Sequence, residues 1–188
     1  MNEAILNFEE IHAAYRPKIR RYLARMVGED EAEDLTQEVF VKVHRALGGF
    51  KGDSKLSTWI YRIATNAALD KLRSPFFQRT GECVPLVEDA GLEGQAVVEK
   101  ADAMEHGESS PERQVFLRQG FDCYRGILNS LPINYRAVVA LSELGDLAVD
   151  EIARILGLSP ATVKIRLHRG RERLLKELKA HCRAEDWL

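Results

Sequence analysis

Val149-Asp150-Glu151-Ile152-Ala153-Arg154-Ile155-Leu156-Gly157-Leu158-Ser159-Pro160-Ala161-Thr162-Val163-Lys164 divides into two helical runs around one glycine. Ile152, Ala153 and Leu156 give the first run an inner face, Gly157 makes the sharp turn, and Leu158 plugs the gap between the runs. Ser159 is placed to cap the second run, with Pro160 at the first helical position, where a missing N–H costs nothing. The pattern is a helix-turn-helix. Its second helix has a buried stripe of Val163, Leu167 and Leu174, and an open side bearing Thr162, Lys164, Arg166, His168, Arg169, Arg171 and Arg173. Between Lys164 and Lys179 seven Lys and Arg stand against two Asp and Glu, a balance of +5. A solvated helix face tends to mix its signs, whereas a recognition helix needs base-reading residues in its N-terminal half and cations further along for phosphates. Gly170 interrupts this helix at a cost of about 1 kcal/mol relative to alanine.

Upstream of this run, residues 114–130 form an apolar-periodic helix with Val115, Leu117, Phe121, Ile127 and Leu128, broken by Leu131-Pro132. Tyr135 to Leu144 makes another. Residues 113–180 are thus one helical module, followed by a tail over 181–188.

Residues 1–75 form a second helical module. Phe8, Ile11, Tyr15, Ile19 and Tyr22 or Leu23 mark one amphipathic helix, and Gly28 before Glu29-Asp30-Glu31 marks its stop and the start of the next. Leu35, Val39, Val43 and Leu47 share a stripe there, leaving Asp34, Gln37, Glu38, Lys42 and Arg45 for solvent or a partner. Gly48-Gly49 ends it. Phe50-Lys51-Gly52-Asp53-Ser54-Lys55-Leu56 reads as a loop, and Ser57 or Thr58 as the cap of a third helix. In that helix Ile60, Ile63, Ala64, Ala67 and Leu72 suit a core face, while Arg62, Thr65, Asn66, Leu69 and Arg73 point elsewhere. Lys51 and Lys55 beside Trp59, Tyr61, Arg62 and Asn66 combine cations, aromatic faces and an amide, a mixture that holds an unpaired nucleic-acid strand. The alternative, in which Trp59 anchors a core and the lysines solubilise the loop, stands beside it.

Residues 1–75, 76–112 and 113–188 carry charge balances of +1, −7 and +4. The middle piece also holds Pro75 at its border, Pro85, Pro111, Gly81, Gly91, Gly94 and Gly107, so 76–112 reads as a flexible acidic linker. With 45% hydrophobic and 30% charged residues among 188, the chain is neither fibrous nor wholly disordered. It has no apolar run of membrane-helix length and no signal-peptide start, which predicts a cytoplasmic protein without membrane insertion. Cys83, Cys123 and Cys182 are far apart and predict reduced thiols, with no metal half-site. No phosphate loop, metal-ligand cluster or nucleophile-base pattern suggests an enzyme. A sensor-type regulator would need alternating strands and helices in its first module, which the periodicity there does not supply.

Ala32-Glu33-Asp34-Leu35-Thr36-Gln37-Glu38-Val39-Phe40, Ser57-Thr58-Trp59-Ile60-Tyr61-Arg62-Ile63-Ala64-Thr65-Asn66, and Ser130-Leu131-Pro132 followed by the helix-turn-helix occur in the order seen in a known family. In these segments the chain resembles the extracytoplasmic-function group of bacterial RNA polymerase sigma factors. The resemblance implies an all-α protein of two small helical domains, region 2 over 1–75 and region 4 over 113–180. It implies that Asp34, Gln37, Glu38 and Lys42 dock on core RNA polymerase. Lys51, Asp53, Ser54, Lys55, Trp59, Tyr61, Arg62 and Asn66 would bind the start-proximal promoter element as a single strand. Ser159, Thr162, Lys164, Arg166, His168, Arg169, Arg171 and Arg173 would bind the upstream element as duplex, the last two through phosphates. It further implies promoter-directed transcription initiation in a stress or envelope response, an anti-sigma factor as regulator, and no catalysis, cofactor, metal or small-molecule substrate.

Overall fold

The Asn7 side chain accepts a hydrogen bond from the Glu9 backbone N–H at 3.0 Å and so caps the first helix of the chain. A computed structural model describes residues 7–75, 123–143 and 147–181. Helix α1, Phe8–Val27, ends at Gly28, whose φ of 91° suits glycine, and α2, Glu29–Ala46, follows without a linker. Glu29, Asp30 and Glu31 occupy the first turn of α2, where the helix dipole favours carboxylates. A 3-10 turn, Leu47–Gly49, closes α2, and α3 runs Leu56–Arg73. It stops at the extended Ser74 that precedes Pro75.

Two expectations for α3 are corrected. The helix begins at Leu56 with Lys55 as its cap residue and no side-chain cap, so Ser57 and Thr58 lie inside its first turn. Thr65, expected to point away from the core, is fully buried. Its hydroxyl lies 2.7 Å from the Tyr61 carbonyl, to which it donates, and 2.9 Å from the Tyr22 hydroxyl. This arrangement lets an apolar interior hold two hydroxyls without an unpaired donor, and burial pushes the Tyr22 phenol well up from its ordinary value.

Around that pair pack Ile19, Leu23, Met26, Val39, Val43, Ile60, Ala64 and Leu72, all buried. Arg20 to Glu29 at 3.0 Å, an Arg16–Glu33 pair and Lys71 to Glu31 at 2.6 Å tie the three helices at the surface, where each pair adds little.

In the second module α4 covers described residues 123–130, α5 is Ile133–Ser142, α6 is Val149–Leu156 and α7 is Pro160–His181. Gly157 adopts φ 66°, the left-handed conformation that ends α6, while the Leu158 N–H reaches back to the Ala153 carbonyl at 2.9 Å. The Ser159 hydroxyl accepts the Thr162 N–H at 3.1 Å and starts α7 as expected. α5 begins two residues before the expected Tyr135, directly after Pro132, and is buried along most of its length. Gly170 has a reason beyond propensity: a Cβ there would lie 2.8 Å from Val139 Cγ2 and 3.4 Å from Tyr135 Cβ, so α7 and α5 touch through it. The described residues contain no strand.

The modules are packed together. α3 lies against α6 and α1 against α5, and a single apolar cluster contains Met26 and Ile60 from one module with Val138, Leu141, Ile152 and Ile155 from the other. Arg136 of α5, 2% exposed, donates to the Met26 carbonyl of α1 at 2.9 Å and to carbonyls of Leu131 and Asn129 within its own module. Cys123 is disulfide-bonded, against the expectation of reduced thiols; distance along a chain does not limit distance in the fold. Its partner, the acidic linker 76–112, the N-terminal part of the helix expected from 114, and tail residues 182–188 lie outside the described residues.

Candidate nucleic-acid interface

α7 presents the cationic side expected of it. Lys164, His168, Arg171 and Arg173 are exposed, and Arg166 and Arg169 are half-buried along the same helix. Val163 and Leu174 turn inward against α5 and its neighbours, with Leu167 only partly covered. This separation follows from helical spacing: positions three, four and seven apart share the core side and leave the cations between them outside. Thr162 and Ser159 are tied to each other, with 2.8 Å between their hydroxyl oxygens, at the exposed N-terminus of α7. His168 pairs with Glu172 at 3.3 Å. Arg173 stacks over the Tyr135 ring at 4.8 Å, so it braces α7 on α5, a role its sequence position did not reveal.

The loop after α2 and the first turns of α3 make a second surface. Phe50 and Trp59 rings lie 5.1 Å apart, tilted by 46°. They line a cleft of about 570 Å³ with Lys51, Asp53, Ser54, Thr58, Arg62, Arg154 and Gly157. Lys51, Asp53, Ser54, Trp59 and Arg62 are thus brought together as the sequence reading supposed, with Trp59 half-buried, both anchor and wall. Asn66 is exposed one turn beyond Arg62 on the same helix. Tyr61 departs from expectation. It is 3% exposed and meets Tyr22 edge to face at 5.7 Å, because its turn of α3 faces α1, and it does not line the cleft.

Lys55 leaves the group in another way. Its ammonium pairs with Glu151 of α6 at 3.0 Å, although its own side chain stays mostly in solvent. Glu151, only 7% exposed, also accepts the Ala148 N–H at 2.9 Å. That backbone hydrogen bond first, and Lys55 second, hold its carboxyl below the ordinary glutamate range. Glu151 and Arg154 were not singled out in the sequence. Each is one charge on a short amphipathic helix, and what surrounds it is supplied by a module about a hundred residues away in the chain.

The third surface is the outer face of α2. Asp34, Gln37, Glu38 and Lys42 are exposed there, and Val41 among them is 48% exposed, an apolar contact point within a polar stripe. Such a mixture fits a protein partner better than a nucleic acid. No group of three His, Cys, Asp or Glu among the described residues is placed to hold a metal, and no described helix is long and apolar enough to cross a membrane.

Residues 11–75 match Sigma-70 region 2 and residues 121–174 match Sigma-70 region 4. The chain is 36% identical over 175 residues to the ECF RNA polymerase sigma factor SigW of Bacillus subtilis, covering 92% of this chain and 89% of that protein. It is 32% identical over 166 residues to the ECF RNA polymerase sigma-E factor of Escherichia coli, covering 88% and 83%. Among solved structures it shares its fold with the sigma factor RpoE from Bartonella quintana, determined with the anti-sigma factor NepR, at a TM-score of 0.65 and 21% identity over 93% of this chain and 98% of that one. CnrH, determined with the cytosolic domain of CnrY, gives a TM-score of 0.62 at 20% identity over 93% and 88%.

Proposed function

The chain belongs to the ECF RNA polymerase sigma factors, and from that premise we propose how its surfaces divide the work of promoter recognition. As a sigma factor it directs core RNA polymerase to promoters and initiates DNA-templated transcription. Region 2 occupies residues 1–75 and region 4 residues 113–180 in our reading. The exposed face of α2, with Asp34, Gln37, Glu38 and Lys42, docks on core polymerase, and Val41 contributes apolar contact. α7 enters the major groove of the upstream element, its N-terminal turn and Lys164, Arg166, His168 and Arg169 at base edges, Arg171 at a phosphate. Arg173 acts mainly as the brace on Tyr135.

The start-proximal element is held as a single strand in the cleft of Lys51, Asp53, Ser54, Trp59 and Arg62, with Asn66 beyond it and Lys55 once released from Glu151. Stacking on Phe50 or Trp59 and charge along the backbone offset the cost of unstacking a base. The protein performs no catalysis of its own, and its place is the cytoplasm, with the polymerase. Its solved fold relatives were captured with the anti-sigma factor NepR and with the cytosolic domain of CnrY, which supports an anti-sigma protein as regulator here too, in a stress or envelope response.

The observation that carries this reading is the helix-turn-helix itself: left-handed Gly157, the Ser159 cap, and a 22-residue helix whose open side is cationic. Run-off transcription from fragmented genomic DNA with sigma-free core polymerase tests it. Discrete chain-dependent transcripts sharing two upstream motifs are expected. A stable dimer that binds palindromic duplex without polymerase would replace this reading with that of a stand-alone regulator.

A further inference from the structure

Arg154 takes no part in the DNA contacts assigned to α3 and α7, yet it stands at the same cleft. It is exposed on α6, in the second module, and lines the cavity of about 570 Å³ together with Lys51 of the loop after α2 and Arg62 of α3, in the first. Three cations from three elements therefore converge on one cavity. None of them forms an ion pair among the described residues; Glu151 of α6 is held by Lys55, and Asp53 is the one carboxylate in the lining. Like charges brought together repel unless an anion sits among them. The rest of the lining is not that of a plain anion site. Phe50 and Trp59, 5.1 Å apart, offer aromatic surface, and Ser54 and Thr58 add hydroxyls. A Cβ at Gly49 or Gly157 would meet no atom within 4 Å, so the backbone leaves space at both positions.

We propose that this cleft binds a free nucleoside triphosphate, with the base against the Phe50–Trp59 pair and the phosphates among Lys51, Arg62 and Arg154, so that the ligand bridges the two modules. A triphosphate supplies the negative charge that three cations and a single carboxylate leave unbalanced. Guanidinium groups suit phosphate because their planar forks meet its oxygens two at a time. An aromatic face accepts any base by stacking, and since the two rings already touch, the base lies on the pair rather than between its members. The cavity has the size of a small-ligand site. A bare phosphate would leave the rings unused, and an apolar ligand would leave the cations unbalanced. Arg154 sets a nucleotide apart from a promoter strand, because a strand lying along α3 does not need it. Binding is independent of the strand-site assignment; where that assignment holds, ligand and strand compete for Lys51, Trp59 and Arg62.

Trp59 is the reporter that tests the site, because Trp187→Phe leaves it the single tryptophan of the full-length chain. ATP is expected to change its fluorescence saturably, with a Kd below about 1 mM. Adenosine and inorganic triphosphate, measured as competitors of ATP, should each bind at least about tenfold more weakly, since each carries only part of the ligand. Inorganic triphosphate that competes as well as ATP itself would reduce the site to an anion patch and overturn the proposal, as would an ATP titration that does not saturate.

A second arm locates the ligand. Lys51→Ala and Arg154→Ala, one in each module, should each weaken ATP at least about tenfold with unchanged helical circular dichroism, since both side chains are exposed. Loss with Lys51→Ala but not with Arg154→Ala overturns the bridge. If either variant misfolds, hydrogen exchange of the parent chain replaces it: ATP should slow exchange at residues 50–62 and at 149–157, and slowing in one module alone overturns the proposal. Displacement of a fluorescent single-stranded oligonucleotide separates the site from the strand reading. ATP bound through Arg154 with the oligonucleotide undisplaced supports the nucleotide site and overturns the strand-site assignment. An oligonucleotide that binds where ATP does not overturns the nucleotide site and leaves the strand reading intact.

Discussion

A methyl group at Gly170 would meet Val139 Cγ2 at 2.8 Å, and a valine on a buried helix has little rotamer freedom with which to yield. Gly170→Ala should therefore destabilise the second module by about 1–3 kcal/mol, despite the better helix propensity of alanine, and a urea titration measures it. Thr65→Val tests the core of the first module. It leaves the buried Tyr22 hydroxyl without the oxygen 2.9 Å away, at a cost of about 1–3 kcal/mol in the same measurement. The sequence misplaced Thr65 and could not show the packing role of Gly170, for related reasons. A glycine inside a helix shows its propensity cost but not the side chain that needs its space. A threonine on a periodic helix is assigned to solvent unless the residue that satisfies its hydroxyl, 43 positions away, is known.

At the scale of elements, α2 and α7 were legible because each has one face in the core and one outside. Leu35, Val39 and Val43 are buried, while Asp34, Gln37, Glu38 and Lys42 are exposed. Reversing two of those charges, Asp34→Arg with Glu38→Arg, should weaken core-polymerase binding at least about tenfold with an unchanged thermal transition, because the face carries no core contacts; binding and melting curves check it. On α7, Lys164→Ala should cost about 1–3 kcal/mol at one base position if it reads a base, whereas Arg171→Ala should weaken binding on all duplexes alike and reduce the salt slope by about one. Titration against a set of single-base promoter variants at several salt concentrations separates the two. α3 was read less well. It packs against α1, α2 and α6, so its buried surface is wider than one stripe, and Tyr61 and Thr65 fall inside it.

For the whole molecule, Glu151 gives the contact between modules one pH-dependent contribution of known sign, opposed by that of Glu143, whose carboxyl pKa is raised by burial although Arg25 lies 3.4 Å away. The Glu151 carboxyl is held below the ordinary glutamate range by the Ala148 N–H and by Lys55, with Thr58 also close. A depressed carboxylate contributes stability that is present above its unfolded pKa and is lost as pH falls through the folded one. Because Lys55 belongs to the other module, part of that stability is lost as closure. Acidification below the ordinary glutamate range should raise hydrogen exchange at residues 55–61 and 149–156 before the helical signal is lost, and Glu151→Gln should remove that share of the acid dependence. Unchanged exchange through that range would show that the Glu151–Lys55 pair does not hold the modules.

The sequence by itself determined the helices, their order and the family, since capping residues, turn glycines and apolar spacing act within a few residues of one another and need no knowledge of what lies opposite. Ser159, Gly157 and the stripe of Val163 and Leu174 do in the structure what their spacing implied. Tertiary structure alone decided which polar residues would be buried and which charges would meet. Arg136 is buried on the carbonyl of Met26, 110 residues earlier, and Lys55 meets Glu151 rather than solvent alone. Such pairings depend on how two separately legible modules are brought together, and neither helical periodicity nor local charge carries that information.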